Sequence, residues 1–325
     1  MRGIVWLGSD NLVVGEIAEP SAGPGEVVVD ILRAGICGSD LHAYRGRAGG
    51  RRPPLVLGHE AVGTVDGSDE PFAVFPLTGC GSCRYCHNDA ENLCPRRSLL
   101  GLDRPGTLAE RTAIPEHCLV PLPPGLGVDD AVLAEPLATS LAVLGETSPA
   151  TQIAIVGCGA IGLLALHAAL RDDTRKDVVV EVADPLAARR QAALDLGAAR
   201  AHPSVSGFRA ASADLVIDAV GLEETWAGAL QAVRPGGTVA VVGLGQAQGN
   251  VDMGHLVRSG ITMRGCYAYS RGDFTRALRL LAARPLRRGI VTTMALEEGP
   301  AAFRLLTEQP ERVVKMVLHP QRGID

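Results

Sequence analysis

The sequence has few aromatic residues, no excess of basic residues and no long apolar run. Aromatic residues make up only 3% of its 325 residues, so valine, leucine, isoleucine and alanine must fill the core. The formal net charge is −5, whereas a nucleic-acid-binding protein presents a basic face. We therefore expect no nucleic-acid partner.

No segment has the apolar character of a membrane span or an export signal. A helix that crosses a bilayer needs about 20 apolar residues, and no stretch of this sequence approaches that length. Residues 1–8 show no sustained apolar run, so we expect neither a secretory signal nor a membrane partner. These features predict a cytoplasmic protein, in which clustered cysteines are metal ligands rather than disulfides.

The character of the sequence changes near residue 138. Residues 1–138 are rich in glycine and proline and contain short apolar runs, which is typical of a β domain with many turns. From Thr151 onward, short apolar strands alternate with helices, which predicts a parallel sheet covered on both faces. We predict an α/β protein with a first domain at 1–138, a doubly wound domain at 139–284 that ends in helix Phe274–Ala283, and a return to the first domain at 285–325.

Four cysteines lie within fifteen residues, in a lobe at 80–94. The pattern C-x2-C-x2-C-x7-C comprises Cys80, Cys83, Cys86 and Cys94. Four thiolates can close a tetrahedron around one zinc ion and leave no open position, so this zinc would be structural. An iron–sulfur cluster and unliganded reduced cysteines are the alternatives.

A second set of metal-binding residue types is spread over a longer stretch. Cys37, His59 and Glu60 offer a thiolate, an imidazole and a carboxylate, and Glu135 is a candidate for a fourth ligand. Three protein ligands around zinc leave a position for water or substrate, as catalytic zinc sites require. Each residue taken singly has another interpretation, such as a cysteine that fills the core or a glutamate that caps a helix.

A glycine-rich loop follows the predicted strand Gln152–Val156 and opens a helix. Its residues fit G-x-G-x-x-G and include Gly157, Gly159, Ala160, Ile161 and Gly162. In this context the pattern indicates dinucleotide binding, with the pyrophosphate at the helix N-terminus.

The residues at the end of the next strand bear on the choice of cofactor. Asp184 lies at that end, where a carboxylate accepts ribose hydroxyls and repels a 2′-phosphate, so NAD is favoured over NADP. Arg189 leaves NADP as the alternative, because its cation can accommodate a phosphate.

Together these motifs resemble the zinc-containing medium-chain dehydrogenases. The resemblance rests on residues 37–42 (Cys-Gly-Ser-Asp-Leu-His), residues 58–63 (Gly-His-Glu-Ala-Val-Gly), the cysteine lobe, the glycine loop and the tail Lys-Met-Val-Leu at 315–318. The resemblance runs over nearly the whole chain. Within the family, the sequence is most similar to the sorbitol, threonine and polyol dehydrogenase branch. It implies a GroES-like β-barrel catalytic domain, a Rossmann domain and a homodimer or homotetramer.

The resemblance also implies roles for individual residues. Cys37, His59 and either Glu60 or Glu135 would hold a catalytic zinc, and Ser39 and His42 would carry the proton away. Val242, Gly243, Leu244 and Tyr267 would line the nicotinamide side of the cofactor site.

The implied reaction is hydride transfer from a secondary alcohol to NAD, at an enzyme with one catalytic and one structural zinc. The small-molecule substrate would be a polyol, an amino alcohol or a cyclitol. The alternatives are an aldehyde or ketone reductase that uses the same residues in reverse and, more remotely, an inactive nucleotide-binding protein.

Three features depart from this pattern or stay without a role. The segment from Thr64 to Gly79 is shorter than in the family, and Ala268 stands where sorbitol-type enzymes have an arginine before a tyrosine. A basic cluster lies in a glycine-rich stretch and is either a solvated loop or a clamp for an anionic substrate; it comprises Arg45, Arg47, Arg51 and Arg52.

Overall fold

The computed structural model describes residues 1–65, 68–145, 150–171, 177–286 and 290–320. Its strands, in chain order, are β1 (Arg2–Gly8), β2 (Asn11–Glu16), β3 (Glu26–Ile36), β4 (Leu55–Val56), β5 (Glu60–Val65), β6 (Pro71–Val74), β7 (Leu77–Thr78), β8 (Ser98–Leu99), β9 (Arg111–Pro115), β10 (Leu119–Pro121), β11 (Gln152–Val156), β12 (Val179–Ala183), β13 (Arg200–His202), β14 (Ala213–Asp218), β15 (Val233–Val241), β16 (Thr262–Gly265), β17 (Val291–Ala295) and β18 (Lys315–His319). The helices are α1 (Gly38–Tyr44), α2 (Val128–Ala131), α3 (Ala134–Leu144), α4 (Ala160–Arg171), α5 (Ala187–Leu196), α6 (Glu223–Ala232), α7 (Met253–Arg258), α8 (Arg271–Ala283) and α9 (Gly299–Glu308). The chain divides into two compact units, Met1–Ala138 with Ser270–Asp325 and Thr139–Tyr269.

The first unit is built around a mixed sheet in which β3 is the hub. The strand order is β10-β6-β5-β3-β18-β17, and β9 also pairs with β3. Pairing with β3 is antiparallel for β5, β9 and β18, whereas β17 and β18 run parallel. Aliphatic side chains dominate the core of this unit, as the scarcity of aromatic residues predicts. The long strand β3 therefore brings the early residues and the C-terminal strand β18 together.

Helix α8 belongs to the first unit, whereas we expected a helix at Phe274–Ala283 to close the second. The ring of Phe274 packs edge-on against Phe75, with centroids 5.5 Å apart. Arg271 stacks over the ring of Phe75 and donates to the carbonyl of His117 at 2.9 Å. These contacts attach α8 to the β-rich unit, and the two compact units divide at 269/270, whereas the boundary at 284/285 stays a prediction for the domains.

The second unit is a parallel sheet with alternating helices. The strand order is β13-β12-β11-β14-β15-β16, and each neighbouring pair is parallel. This is the doubly wound order. Strands β12 and β13 are added on one side of β11 and strands β14 to β16 on the other, so the strand order reverses between β11 and β14. Such sheets bind dinucleotides at that point. Short runs of valine, isoleucine and alanine form the central strands because both faces of the sheet are covered.

The shortened segment at 64–79 forms a strand pair. β5 and β6 run antiparallel, with Thr64 opposite Pro71. Residues 66 and 67 lie outside the described residues. No helix in the part of the chain that the structure describes is long and apolar enough to cross a bilayer.

Candidate metal and cofactor sites

The four cysteines of the 80–94 lobe converge on one point. The Sγ–Sγ separations are 4.0 Å for Cys80–Cys86, 3.6 Å for Cys83–Cys86 and 3.7 Å for Cys83–Cys94. A tetrahedron with Zn–S bonds of about 2.3 Å has edges of about 3.8 Å, so the spacing fits a single four-thiolate metal site. The lobe could hold a zinc ion with no position open to substrate.

The backbone of the lobe favours metal-binding thiolates. Hydrogen bonds from the backbone and the hydroxyl of Ser82 lower the pKa of Cys80 to about 5. The backbone N–H groups of Cys80 and Arg96 both point at Cys94 Sγ, each at 3.4 Å. Because the thiolate is the form that binds metal, the donors at Cys80 favour metal binding, whereas burial raises the pKa of Cys86 to about 11.

A second donor cluster forms in the first unit where β3, α1 and β5 meet. Cys37 follows β3 and caps the N-terminus of α1, while His59 and Glu60 stand at the start of β5. One ligand atom from each of these three residues lies within 4.8 Å of the others. The edge-on contact of Tyr44 with Phe303, at 5.6 Å, anchors α1 to the core and so fixes Cys37.

Gly35 makes room for the carboxylate of Glu60. The two residues face each other across β3 and β5. A Cβ at position 35 would lie 1.9 Å from Glu60 Oε2, inside van der Waals contact. Only glycine at this strand position lets Glu60 turn inward beside Cys37.

The cluster places two carboxylates near the Cys37 thiol and contains a buried acceptor without a hydrogen-bond partner among the described residues. Burial, then the neighbouring carboxylates of Glu60 and Asp40, raise the pKa of the Cys37 thiol to about 11. Glu60 Oε1 is buried and accepts no hydrogen bond from any described residue. A thiol, an imidazole and a carboxylate with a free oxygen form the donor set that zinc prefers, so these residues fit the metal.

A buried lysine balances the charge of the Glu60 carboxylate. Lys315, the first residue of β18, forms an ion pair with Glu60 and donates to the carbonyl of Ile36 at 2.9 Å. Burial opposes its charged form, but the charges of Glu60 and Cys37 outweigh burial and raise the pKa of Lys315. The carboxylate of Glu60 is therefore held between a cation and the other two donors.

The structure also locates the remaining residues that the sequence singled out near this cluster. Ser39 and His42 lie three positions apart on α1, a spacing that places them on one face of the helix. Glu135 is nearly buried in the first turn of α3. It is not part of the three-residue donor group found among the described residues, although its charge reaches Lys315.

In the second unit, the glycine loop joins β11 to α4 as the sequence predicts. A Cβ at Gly162 would lie 1.8 Å from the carbonyl oxygen of Gly157, so glycine is required for the close turn. The buried carboxylate of Asp184 accepts hydrogen bonds from the N–H groups of Cys158 and Leu186, both at 2.8 Å. Arg189 reaches over the loop, within 3.8 Å of where a Cβ of Gly159 would lie.

The other expected cofactor residues lie at the same edge of this sheet. Val242 and Gly243 follow β15, and the N–H groups of both donate to the carbonyl of Asp218 at the end of β14. Leu244 and Tyr267, which follow β15 and β16, are exposed. All these positions are at the carboxyl ends of parallel strands, where α/β sheets bind ligands.

Sequence reasoning gave no role to three residues that shape the metal cluster. Asp40 accepts a hydrogen bond from the Cys37 N–H at 3.0 Å and lies 3.8 Å from His59 Nδ1. Lys315 and Gly35 lie in β18 and β3 but make their contacts with residues distant in sequence. An aspartate three positions after a candidate ligand was the one local signal available.

Two family models match the chain. A model described as the alcohol dehydrogenase GroES-like domain matches residues 23–124. A second, described as zinc-binding dehydrogenase, matches residues 160–283, so the two cover well over half of the chain. The chain belongs to the zinc-dependent alcohol dehydrogenases of the medium-chain family.

Individual relatives agree with this placement among the zinc-dependent dehydrogenases. A probable zinc-binding alcohol dehydrogenase of Mycobacterium tuberculosis is 32% identical over 98% of this chain and 89% of its own length. The L-galactonate-5-dehydrogenase of Escherichia coli is 30% identical over 91% of this chain and 90% of its own length. The structure of acetophenone reductase from Geotrichum candidum in complex with NAD has a TM-score of 0.87 at 27% identity, covering 98% of this chain and 96% of the reductase.

Membership in this family confirms two expectations drawn from the sequence. The protein is an oxidoreductase of the zinc-dependent alcohol dehydrogenase type. Its fold joins a GroES-like domain to a Rossmann sheet.

Proposed function

We propose that this dehydrogenase oxidises a secondary alcohol of a polyhydroxylated small molecule and transfers the hydride to NAD. The observation that carries the proposal is the donor group of half-buried Cys37 with buried His59 and Glu60, in which a carboxylate oxygen lacks a hydrogen-bond partner among the described residues. The first unit would be the catalytic domain, and the second would bind the cofactor.

Each chain would hold two zinc ions with different tasks. The lobe at 80–94 would bind the structural ion through its four sulfur atoms. Cys37, His59 and Glu60 would bind the catalytic ion; we assign Glu60 rather than Glu135 as the third ligand because Glu60 lies in the donor group. When bound there, zinc supplies a Lewis acid that makes the substrate hydroxyl more acidic.

The protein's own residues would remove the substrate proton. Ser39, two residues from Cys37, would accept that proton and pass its own hydroxyl proton onward toward His42. Burial, then the charges of Arg47 and Arg45, lower the pKa of His42. A lowered pKa keeps the imidazole neutral near pH 7, which is the form that can accept a proton.

The nicotinamide cofactor would bind along the carboxyl edge of the parallel sheet. The glycine loop at 157–162 would hold the pyrophosphate at the N-terminus of α4. The Asp184 carboxylate is fixed by two backbone N–H groups at the end of β12, which supports ribose binding and NAD use. Arg189 beside the loop is the reason to test NADP as well.

The substrate class rests on the relatives. Position 5 of galactonate carries a secondary alcohol, and acetophenone is a ketone, so both named activities interconvert these two groups. We propose a polyol, amino alcohol, cyclitol or sugar acid as substrate. The ketone reductase in complex with NAD is the observation that favours the reverse reaction as a second candidate. A closed symmetric homo-oligomer is the expected assembly.

The test is the absorbance of reduced nicotinamide with zinc-loaded enzyme and a panel of these four substrate classes and simple primary alcohols. We expect turnover of secondary alcohols with NAD, and faster turnover with NAD than with NADP. Turnover with NADP alone would shift the cofactor assignment from Asp184 to Arg189. Silence in both directions, with ketones and reduced cofactor included, would overturn the proposed activity.

A further inference from the structure

Arg51 differs from the other arginines of its glycine-rich segment. Arg45, Arg47 and Arg52 are exposed, whereas Arg51 is 7% exposed and lies beside the metal cluster. A buried guanidinium fits neither a solvated loop nor a clamp that waits for an anionic substrate. Its burial needs compensating partners, because an unpaired buried charge is strongly unfavourable.

Three acceptors surround the Arg51 guanidinium. Its Nε donates to the carbonyl of Gly101 at 2.7 Å. Its Nη2 donates to Ser39 Oγ at 3.1 Å and lies 3.4 Å from Asp40 Oδ1. One planar cation therefore contacts the proposed proton acceptor and a fully buried carboxylate at the same time.

Asp40 connects this cation to the metal ligands. One of its oxygens accepts the backbone N–H of Cys37 at 3.0 Å. The other, which faces Arg51, lies 3.8 Å from Nδ1 of His59. Displacement of Asp40 would therefore disturb the positions of both Cys37 and His59.

We propose that Arg51 is a positioning residue that links the proton-accepting Ser39 to the Asp40 support of the metal ligands. This inference rests on the proposed function. Arg51 occupies an acceptor site of the Ser39 oxygen, which leaves the serine hydroxyl proton to point away from the guanidinium. The Ser39 hydroxyl is held in one orientation, and Asp40 is held beside the candidate metal ligands Cys37 and His59.

The chemistry of the guanidinium suits this role better than that of an ammonium group. Its rigid fork carries donors in one plane and can serve several acceptors at fixed angles. A guanidinium stays protonated and has no acceptor atom, so it cannot take the substrate proton from Ser39. The proton is therefore directed along the helix face that bears His42, rather than into the protein interior.

The experiment compares Arg51→Lys and Arg51→Met with the matched control Arg52→Met, which removes the exposed neighbouring cation. Three quantities are measured: kcat and KM separately, the rate of zinc loss to a chelator, and the thermal midpoint. Ser39→Ala is made alone and combined with each Arg51 variant. Zinc loss requires no turnover, so it tests the link through Asp40 independently of activity.

We expect Arg51→Met to lower kcat by roughly tenfold or more with little change in KM, since small misplacements of catalytic groups have effects of that size. Weakened support of the ligands should speed loss of the catalytic zinc by roughly tenfold. Combined with Ser39→Ala, the Arg51 substitution should lower kcat by a smaller factor than it does in the wild type, because the part of its effect that passes through Ser39 is already lost and only the part through Asp40 remains. Arg52→Met should match the wild type in all three measurements.

If Arg51→Met fails to fold, Arg51→Lys tests the inference instead. The lysine keeps a buried cation beside Asp40 but lacks the planar guanidinium that serves several acceptors at once. A lysine variant with wild-type kcat and wild-type zinc retention would overturn the inference. So would a loss of kcat that adds fully to that of Ser39→Ala, which would indicate a general effect on the fold. An inactive wild-type enzyme would refute the proposed function instead, and zinc loss would still test the link from Arg51 to the ligands.

Discussion

At the scale of single residues, the metal cluster depends on side chains that are not ligands. Gly35 provides the space for Glu60, and Lys315 pairs with the same carboxylate. The candidate donor residues could be identified from sequence because few side chains bind zinc, and the structure brings Cys37, His59 and Glu60 together. Their supports could not, because the contact of Lys315 with Ile36 joins residues 279 positions apart.

Gly35→Ala should remove the catalytic zinc without unfolding the protein. The new Cβ would meet the end of the flexible Glu60 side chain, 1.9 Å from Oε2, so Glu60 should swing away rather than the strand break. We expect zinc content to fall from two ions per chain to one, measured by elemental analysis, together with activity. The control is Gly15→Ala in β2, where a Cβ meets nothing within 4 Å. Two retained zinc ions in Gly35→Ala would contradict the assignment of Glu60.

The pH dependence of turnover should report the environment of His42. Burial and the charges of Arg47, Arg45 and Arg51 lower its pKa. Only the neutral imidazole accepts a proton, so activity falls as the pH drops through this pKa. The fall should therefore lie at lower pH than for an unperturbed histidine, near 6.5.

Arg47→Gln removes the largest of these charge effects and should move the acid limb of kcat to higher pH. The measurement is the pH profile of kcat for the wild type, Arg47→Gln and Arg52→Gln, the last being the control. An acid limb that does not move in Arg47→Gln, or that moves equally in both variants, would argue against His42 as the end of the proton path.

At the scale of elements, local patterns predicted most of the fold. The predicted strand at Gln152–Val156 is β11, and the helix predicted after the glycine loop is α4. The placement of α8 could not be predicted in this way, because it depends on the contact of Phe274 with Phe75, about two hundred positions earlier in the chain. A local pattern specifies that a helix forms, but distant packing decides which unit it joins.

The two metal sites should respond differently to loss of one ligand. Cys83→Ala opens a closed site that holds a lobe with little regular structure, and structural zinc contributes directly to folding. We expect a large drop in the thermal midpoint for Cys83→Ala. Cys37→Ala should abolish turnover and keep the midpoint close to the wild type, as should the control Cys266→Ala, which also keeps activity. Equal destabilisation by the Cys37 and Cys83 substitutions would refute the division into catalytic and structural sites.

At the scale of the whole molecule, each unit would contribute a different part of the proposed reaction. The β-rich unit supplies the donor groups for two metal ions, and the doubly wound unit supplies the glycine loop and the strand ends for a dinucleotide. The family and the two-part architecture could be predicted from sequence, since motif order and spacing are shared with a recognisable family. The substrate could not, because the residues that would select it are scattered along the chain.

The most direct test of this account is to follow zinc content and NADH formation together during treatment with a chelator, using the best secondary alcohol of the panel. The open site at Cys37, His59 and Glu60 should lose its ion first. We predict that activity disappears as zinc falls from two ions per chain to one, while the fold persists, and that added zinc restores activity. Full activity with one zinc per chain, held by the four-cysteine lobe, would contradict the central claim.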